Sequence, residues 1–166
     1  MSAETFTTAM FLITAVIAAG VLINAVFPVV YQMAGTFASA THASDERLRT
    51  DFGIVATFAS QSGSNAQIYM KNVGSRSIPE SDIKKSDVFF GTITPGPIGR
   101  LDYQVNPIGT PSWNYQIHGT STINWAPGDT LEIDIHDVGV TPGDQEYFQF
   151  ILPNAVQRST QFGVGS

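Results

Sequence analysis

Hydrophobic and polar positions divide this chain into two regimes. From Ala9 to Tyr31 the residues are almost all apolar, interrupted by Thr14, Gly20, Asn24 and Pro28. No Lys, Arg, Asp or Glu occurs between Glu4 and Asp45. A hydrocarbon layer of about 30 Å needs roughly 20 such residues as a helix, so the run is long enough to span a membrane. A secretory signal peptide has a basic start and a shorter apolar core. This segment opens Met1-Ser2-Ala3-Glu4 and its apolar run is longer, so it is expected to remain on the protein. Beyond Tyr31 no proline interrupts the chain, and Phe27, Val30, Ala34, Phe37, Thr41, Ser44 and Leu48 recur at spacings of three and four. That spacing places them on one helical stripe. A helix from about Ala3 to Thr50 is about 70 Å long at 1.5 Å per residue, more than twice the hydrocarbon layer. The excess reads as a stalk or as a packing surface for other helices.

From Asp51 the period shortens to two. Phe52, Ile54, Ala56 and Phe58 alternate with other residues and are predicted to share a strand face. Ser62-Gly63-Ser64-Asn65 reads as a turn, and Ala66–Val73 as the next strand. Asp87–Phe90 follows, ended by the breaker-rich Thr94-Pro95-Gly96-Pro97. Further strands are expected at Leu101–Val105 and Asn114–His118. The cleanest alternation is Leu131-Glu132-Ile133-Asp134-Ile135-His136, introduced by the turn Ala126-Pro127-Gly128-Asp129. In the last segment, Glu146–Leu152, the residues Phe148, Phe150 and Leu152 face one way. Short strands separated by turn signals predict a β-sandwich or small barrel. The expected organisation is therefore a long N-terminal α-helix over residues 1–50, membrane-spanning or filament-core, and an all-β sandwich domain over 51–166.

Within the helix, several residues are candidates for anchoring or packing. Ala15 and Ala19 form a small-xxx-small pair, with Ala18 and Gly20 beside them, which lets backbones approach closely. Asn24 places an amide in mid-run, where an unpaired polar group is costly. Pro28 has no N–H and its ring crowds the Asn24 carbonyl, which predicts a local kink. Tyr31 closes the apolar run and Phe37 lies on the stripe beyond it. Glu4, the one charge in the first turn, suits the positive end of the helix dipole; an inter-subunit ion pair is the sharper use of the same carboxylate.

Composition narrows the function classes. Charged residues make up 13% of 166 and the net charge is −6, against about 25% charged in soluble globular proteins. Nucleic acid is therefore not an expected partner. The absence of cysteine excludes disulfides, thiolate metal sites and cysteine nucleophiles. His42, His118 and His136 show no helical i, i+4 pair of the kind zinc proteases use, and there is no Gly-x-Ser-x-Gly elbow. Neither a phosphate-cradling glycine loop nor an Asn-x-Ser/Thr sequon is present. Asp134, His136, Asp137, Asp144 and Glu146 form an acidic cluster that calcium could use, although the simpler reading makes Glu132, Asp134 and His136 the wet face of a sheet. Lys71, Arg76, Lys84 and Lys85 read as solvated loop charges. No enzyme activity, cofactor, metal or small-molecule substrate is expected.

The run Glu4–Phe11, the segment Leu22–Pro28 continuing to Tyr31, and Arg47-Leu48-Arg49-Thr50-Asp51-Phe52 resemble the archaellar accessory (stator) family FlaG, a subset of the archaeal type IV pilin-like and archaellin superfamily. In the second half, Ile68–Gly74, Asp87-Val88-Phe89 and Trp125-Ala126-Pro127-Gly128-Asp129 are similar to the β-domain of that group. The resemblance implies a non-enzymatic part of the archaellum with an anchoring or stator role. It implies the sister accessory protein FlaF, further copies of the chain, membrane lipid and the surface layer or the archaellum filament as partners. The helix would lie in the cytoplasmic membrane with the β-domain outside. The alternative within the superfamily is an extracellular filament subunit whose helices bundle in the core. Archaellins carry a short basic leader ending in glycine, whereas this sequence opens almost directly on the helix, which argues against an archaellin unless the leader has been removed. A plain count of positive charges disagrees with this orientation, because Arg47 and Arg49 follow the apolar run and none precedes it; Asp45 and Glu46 offset them.

Overall fold

The computed structural model describes residues 2–60, 65–93, 96–107, 109–120 and 123–165. The expected turn residues Ser62, Gly63 and Ser64, and Thr94 and Pro95 of the breaker segment, lie outside the described residues. Two compact units are present, Met1–Ser44 and Asp45–Ser166.

The first unit is helical. A single helix, α1 (Ser2–Arg49), runs through Pro28 without interruption and extends into the second unit. Its hydroxyls are absorbed by its own backbone. Thr7, Thr8, Thr14, Thr36, Ser39 and Thr41 each donate to the carbonyl four residues earlier, at 2.8–3.0 Å. A polar side chain satisfied this way can face an apolar medium at little cost.

The second unit is a β-sandwich closed almost into a barrel. Its elements are β1 (Phe52–Ser60), β2 (Asn65–Asn72), α2 (Glu80–Lys84), β3 (Asp87–Thr92), β4 (Gly99–Tyr103), β5 (Ser112–His118), β6 (Thr130–His136), β7 (Gln145–Ile151) and β8 (Gln157–Gly163). The strands follow the order β1-β2-β6-β5-β4-β3-β7-β8. One half, β1-β2-β6-β5, joins the other, β4-β3-β7-β8, through a two-pair parallel contact, Asp102 to Ser112 and Tyr103 to Trp113. At the opposite end a single bridge, Ser60 to Gly165, nearly closes the ring.

Side-chain alternation fills the interior from both halves. Ile68 and Met70 of β2 and Leu131, Ile133 and Ile135 of β6 are fully buried, as are Val88 of β3 and Phe148 and Phe150 of β7. Phe52 sits where they meet, 5.5 Å from the Trp125 ring and 5.6 Å from that of Phe150. Trp125 comes from the segment before β6 and donates its indole N–H to the Asp129 carbonyl at 2.9 Å. Burying side chains of this size contributes roughly 1.5–3 kcal/mol each.

Three features depart from the expected pattern. In β1 the register slips between Ile54 and Ala56, so Val55 is an extra residue and everything after it changes face. Phe52 stays inside, but Phe58, expected on the same face, is 60% exposed, and Ala59 packs inward instead. In β7 the inward face that holds Phe148 and Phe150 also takes Glu146, which is 1% exposed. Its Oε1 accepts from Thr92 Oγ1 at 3.0 Å while its Oε2 has no partner. Burial holds the Glu146 carboxyl above the ordinary carboxylate range. The calcium reading fails accordingly: Glu146 faces the core, Asp134 and His136 lie on the outer face of β6, and among the described residues no three acidic or histidine side chains gather. Finally, α2 and β8 carry no strong period. β8 is largely exposed and polar, and α2 has five residues with one buried side chain, Ile83.

Candidate functional site

The helix presents the first functional surface. All of its large apolar residues from Phe6 to Phe37 are exposed, each at 48% or more. Water does not tolerate such a surface. At roughly 1.5–3 kcal/mol per large side chain, leaving it wet costs on the order of tens of kcal/mol, so something apolar must cover it. α1 is the one described helix long and apolar enough to cross a membrane.

The sequence-predicted residues fall along this surface without being gathered into a pocket. Ala15 and Ala19 lie one turn apart and are exposed, and Gly20 is half-buried with open space where a Cβ would stand. Tyr31 stacks on Phe27 one turn below, with ring centroids 6.2 Å apart. Phe37 is exposed further along. Glu4 occupies the first turn, and its carbonyl accepts from Thr8 Oγ1 at 2.8 Å. Asn24 differs from the helix hydroxyls. Among the described residues its carboxamide makes no bond, and Pro28, four residues on, supplies no N–H to its carbonyl.

The second functional element is the attachment of the last helical turn, which belongs to the β-unit. Thr50 ends the helix, its N–H and its hydroxyl both donating to the Glu46 carbonyl, at 3.0 and 2.6 Å. The Thr50 hydroxyl in turn accepts from Asn154 Nδ2 at 3.1 Å. The loop after β2 then wraps this turn. Ser75 N–H and Arg76 N–H both donate to the Arg49 carbonyl at 3.0 Å, and Val73 N–H and Gly74 N–H to the Asp51 carbonyl at 3.1 and 2.9 Å. A helix C-terminus leaves carbonyls without partners; here the β-domain supplies the missing donors.

Charges reinforce the attachment. Arg76 reaches Glu46 at 3.4 Å and Asp82 at 3.5 Å with its side chain only 23% exposed. It is a clamp between helix and loop, not the solvated loop charge expected. Arg158 pairs with Asp51 and lies over the Phe52 ring, 5.8 Å from its centre. Gly74 is required by close approach, since a Cβ there would stand 2.5 Å from the Arg49 carbonyl oxygen and 2.6 Å from the Asp51 nitrogen. Buried Asn72 fixes the loop, donating to the Arg76 and Trp125 carbonyls at 2.9 Å and accepting from Gly74 N–H at 3.0 Å. Sequence reading missed this attachment, because its partners are separated by up to 107 positions. The available signal was local: Asn72-Val73-Gly74-Ser75 has turn composition.

The outer face of β2, β6 and β5 carries a further polar assembly. Glu132 is 8% exposed although it sits on the outward side of its strand. It accepts from Tyr69 Oη at 2.8 Å and Gln67 Nε2 at 3.1 Å and pairs with His118. The Tyr69 hydroxyl is held above its ordinary range, first by the hydrogen bond to that carboxylate and then by burial. Neighbouring side chains, not the core, cover Glu132.

Comparison with known proteins places this architecture. A protein of Archaeoglobus fulgidus described as uncharacterized is 24% identical over 167 residues, covering 98% of this chain and 99% of its own. Among solved structures, the archaellum periplasmic stator protein FlaG from Sulfolobus acidocaldarius superposes with a TM-score of 0.55 at 22% identity, over 68% of this chain and 99% of that one. The stator complex of FlaF and FlaG from the same organism gives 0.54 at 20% identity, over 67% and 87%. The archaeal flagellum of Methanospirillum hungatei strain JF1 gives 0.54 at 15% identity, and there the match covers 92% of this chain and 91% of the other. The resemblance read from Glu4–Phe11, Leu22–Pro28 and Arg47–Phe52 thus holds at the level of fold. The archaeal-type flagellin family model matches residues 7–162, and the chain belongs to that family.

Proposed function

We propose that the protein is a non-enzymatic structural component of the archaellum, holding the apparatus to the cell envelope as an anchor or stator element. The observation that carries this reading is the exposed apolar helix whose last turn is bonded into the β-domain. Arg49, Thr50, Gly74 and Arg76 fix the last helical turn within the β-unit, and the apolar surface of α1 is the part that lipid would hold. The packing residues proposed for the helix are Ala15, Ala19, Gly20, Asn24, Pro28, Tyr31 and Phe37, with Glu4 available for an ion pair at the N-terminus. The proposed partners are an accessory protein of the FlaF type, the surface layer or the filament, and membrane lipid. The helix lies in the cytoplasmic membrane and the β-domain on its outer side, over residues 1–50 and 51–166.

A second reading makes the chain a filament subunit, with α1 packed among copies of itself. The likeness to the flagellum of Methanospirillum hungatei supports it, because that match includes most of the helix as well as the sandwich. Negative-stain electron microscopy of the full chain, purified in detergent and then freed of it, separates the two. Discrete particles that need lipid or detergent to stay soluble support the anchor. Long regular filaments from the chain alone refute it in favour of the filament subunit.

A further inference from the structure

We infer that the outer face of β1, β2 and β6 carries a binding site for a neutral saccharide. A shallow cavity of about 250 Å³ lies there, lined chiefly by Phe58, Asn65, Gln67, Asp134 and His136. The bulge at Val55 is what brings Phe58 to it. Without the slip between Ile54 and Ala56, Phe58 would point into the core beside Phe52; with it, the ring stands in solvent at the rim of the cavity. Bulges recur where a side chain is re-aimed toward a site.

The lining is held in place before any ligand arrives. Phe58 meets Tyr69 edge to face, ring centroids 6.1 Å apart at 83°. Tyr69 is tied to the buried Glu132 carboxylate. Gln67 points its amide nitrogen at Glu132 and at Asp134 Oδ1, 3.1 and 3.0 Å away. Both of its hydrogens are thus committed, and among the described residues its carbonyl and the second Asp134 oxygen take no donor. The His136 ring lies 3.4 Å from Asn114 Oδ1. Register explains the assembly: Phe58, Gln67 and Asp134 sit opposite one another across three strands, and Gln67 and Asp134 are a direct pair.

The chemistry selects the ligand class. No Lys or Arg lines the cavity and one carboxylate does, which disfavours anions. Among the described residues no three metal-ligating side chains gather, which disfavours a cation. What remains is planar hydrogen-bonding side chains beside an exposed aromatic ring in a cavity of monosaccharide size. A neutral hexose matches all of these, offering hydroxyls to the amide and carboxylate oxygens and a C–H face to Phe58. This site is independent of the anchor reading.

The test is saturation-transfer NMR on the full chain in a detergent without sugar, such as lauryldimethylamine oxide. Glucose, galactose, mannose and N-acetylglucosamine serve as probes, each also as its methyl glycoside. Transfer to ring protons of at least one sugar is expected. Phe58→Ala and Asp134→Asn should each reduce it at least fivefold, with Gln149→Ala on the other half unchanged. Tryptophan emission reports whether each variant is folded, and the near-isosteric Asp134→Asn decides the matter if Phe58→Ala does not fold. A methyl glycoside that binds identifies the end of a glycan chain, and binding of free sugar alone identifies a soluble sugar. No transfer from any probe, transfer untouched by the folded variants, or displacement of sugar by inorganic phosphate overturns the proposal.

Discussion

Replacing Gly74 by alanine tests whether the last helical turn is truly locked to the β-domain. The added Cβ would stand 2.5 Å from the Arg49 carbonyl oxygen, 2.6 Å from the Asp51 nitrogen and 3.2 Å from the Asp51 oxygen. All three are backbone atoms, so no side chain can swing aside to relieve the contact. The loop must retreat by most of an ångström. The four bonds that it makes to the Arg49 and Asp51 carbonyls, now 2.9–3.1 Å, then pass the limit of useful geometry. At roughly 0.5–1.5 kcal/mol per hydrogen bond, their loss or weakening costs about 2–4 kcal/mol, in line with about 1–3 kcal/mol for overpacking elsewhere. The readout is thermal unfolding of the full chain in detergent, followed by emission of Trp113 and Trp125, both fully buried. At roughly 2–4 °C per kcal/mol for a chain of this size, the midpoint should fall by about 5–15 °C. Limited proteolysis should in parallel cut faster between residues 45 and 52. A midpoint within 1 °C of the parent, with unchanged cleavage, would show that the loop yields freely and that the attachment carries no load.

Three further outcomes follow from the same structure. Glu146→Gln should change the pH dependence of stability. The folded carboxyl titrates above its unfolded value, so the parent's penalty is absent below the unfolded pKa, about 4.5, and grows as pH rises through the window above it; relative to the parent, the variant should gain about 1–3 kcal/mol between pH 4 and pH 7, and parallel melting curves at both pH values would disprove the burial argument. Deleting residues 1–32 should leave a soluble β-domain with the parent's tryptophan emission, whereas recovery only as aggregate would deny that the sandwich folds by itself. Asn24→Leu should weaken helix association in micelles by about 1 kcal/mol, measured by cross-linking yield, and an unchanged yield would mean that the amide meets no partner helix.

The division of labour between sequence and tertiary structure can be followed residue by residue. The sequence alone determined the helix, because a charge-free apolar run from Ala9 to Tyr31 has one economical conformation where backbone groups must satisfy themselves. It determined most of the strands for a similar reason. Alternation of Leu131, Ile133 and Ile135 with Glu132, Asp134 and His136 can bury one face only as a strand. The family resemblance was legible too, since it rests on contiguous segments. Only the fold decided the rest, because those features depend on what lies opposite. Phe58 points outward because the pairing of β1 with β2 slips at Val55, and register belongs to a pair of strands. Glu146 is buried because Phe148 and Phe150 take its face into the core. β8 exists because β7 offers it an edge, not because Gln157–Gly163 has a pattern of its own. The clamp at Arg49 and Gly74 joins backbone groups that side-chain chemistry does not advertise. Periodicity reports which face a residue prefers; strand register and loop approach decide which face it receives.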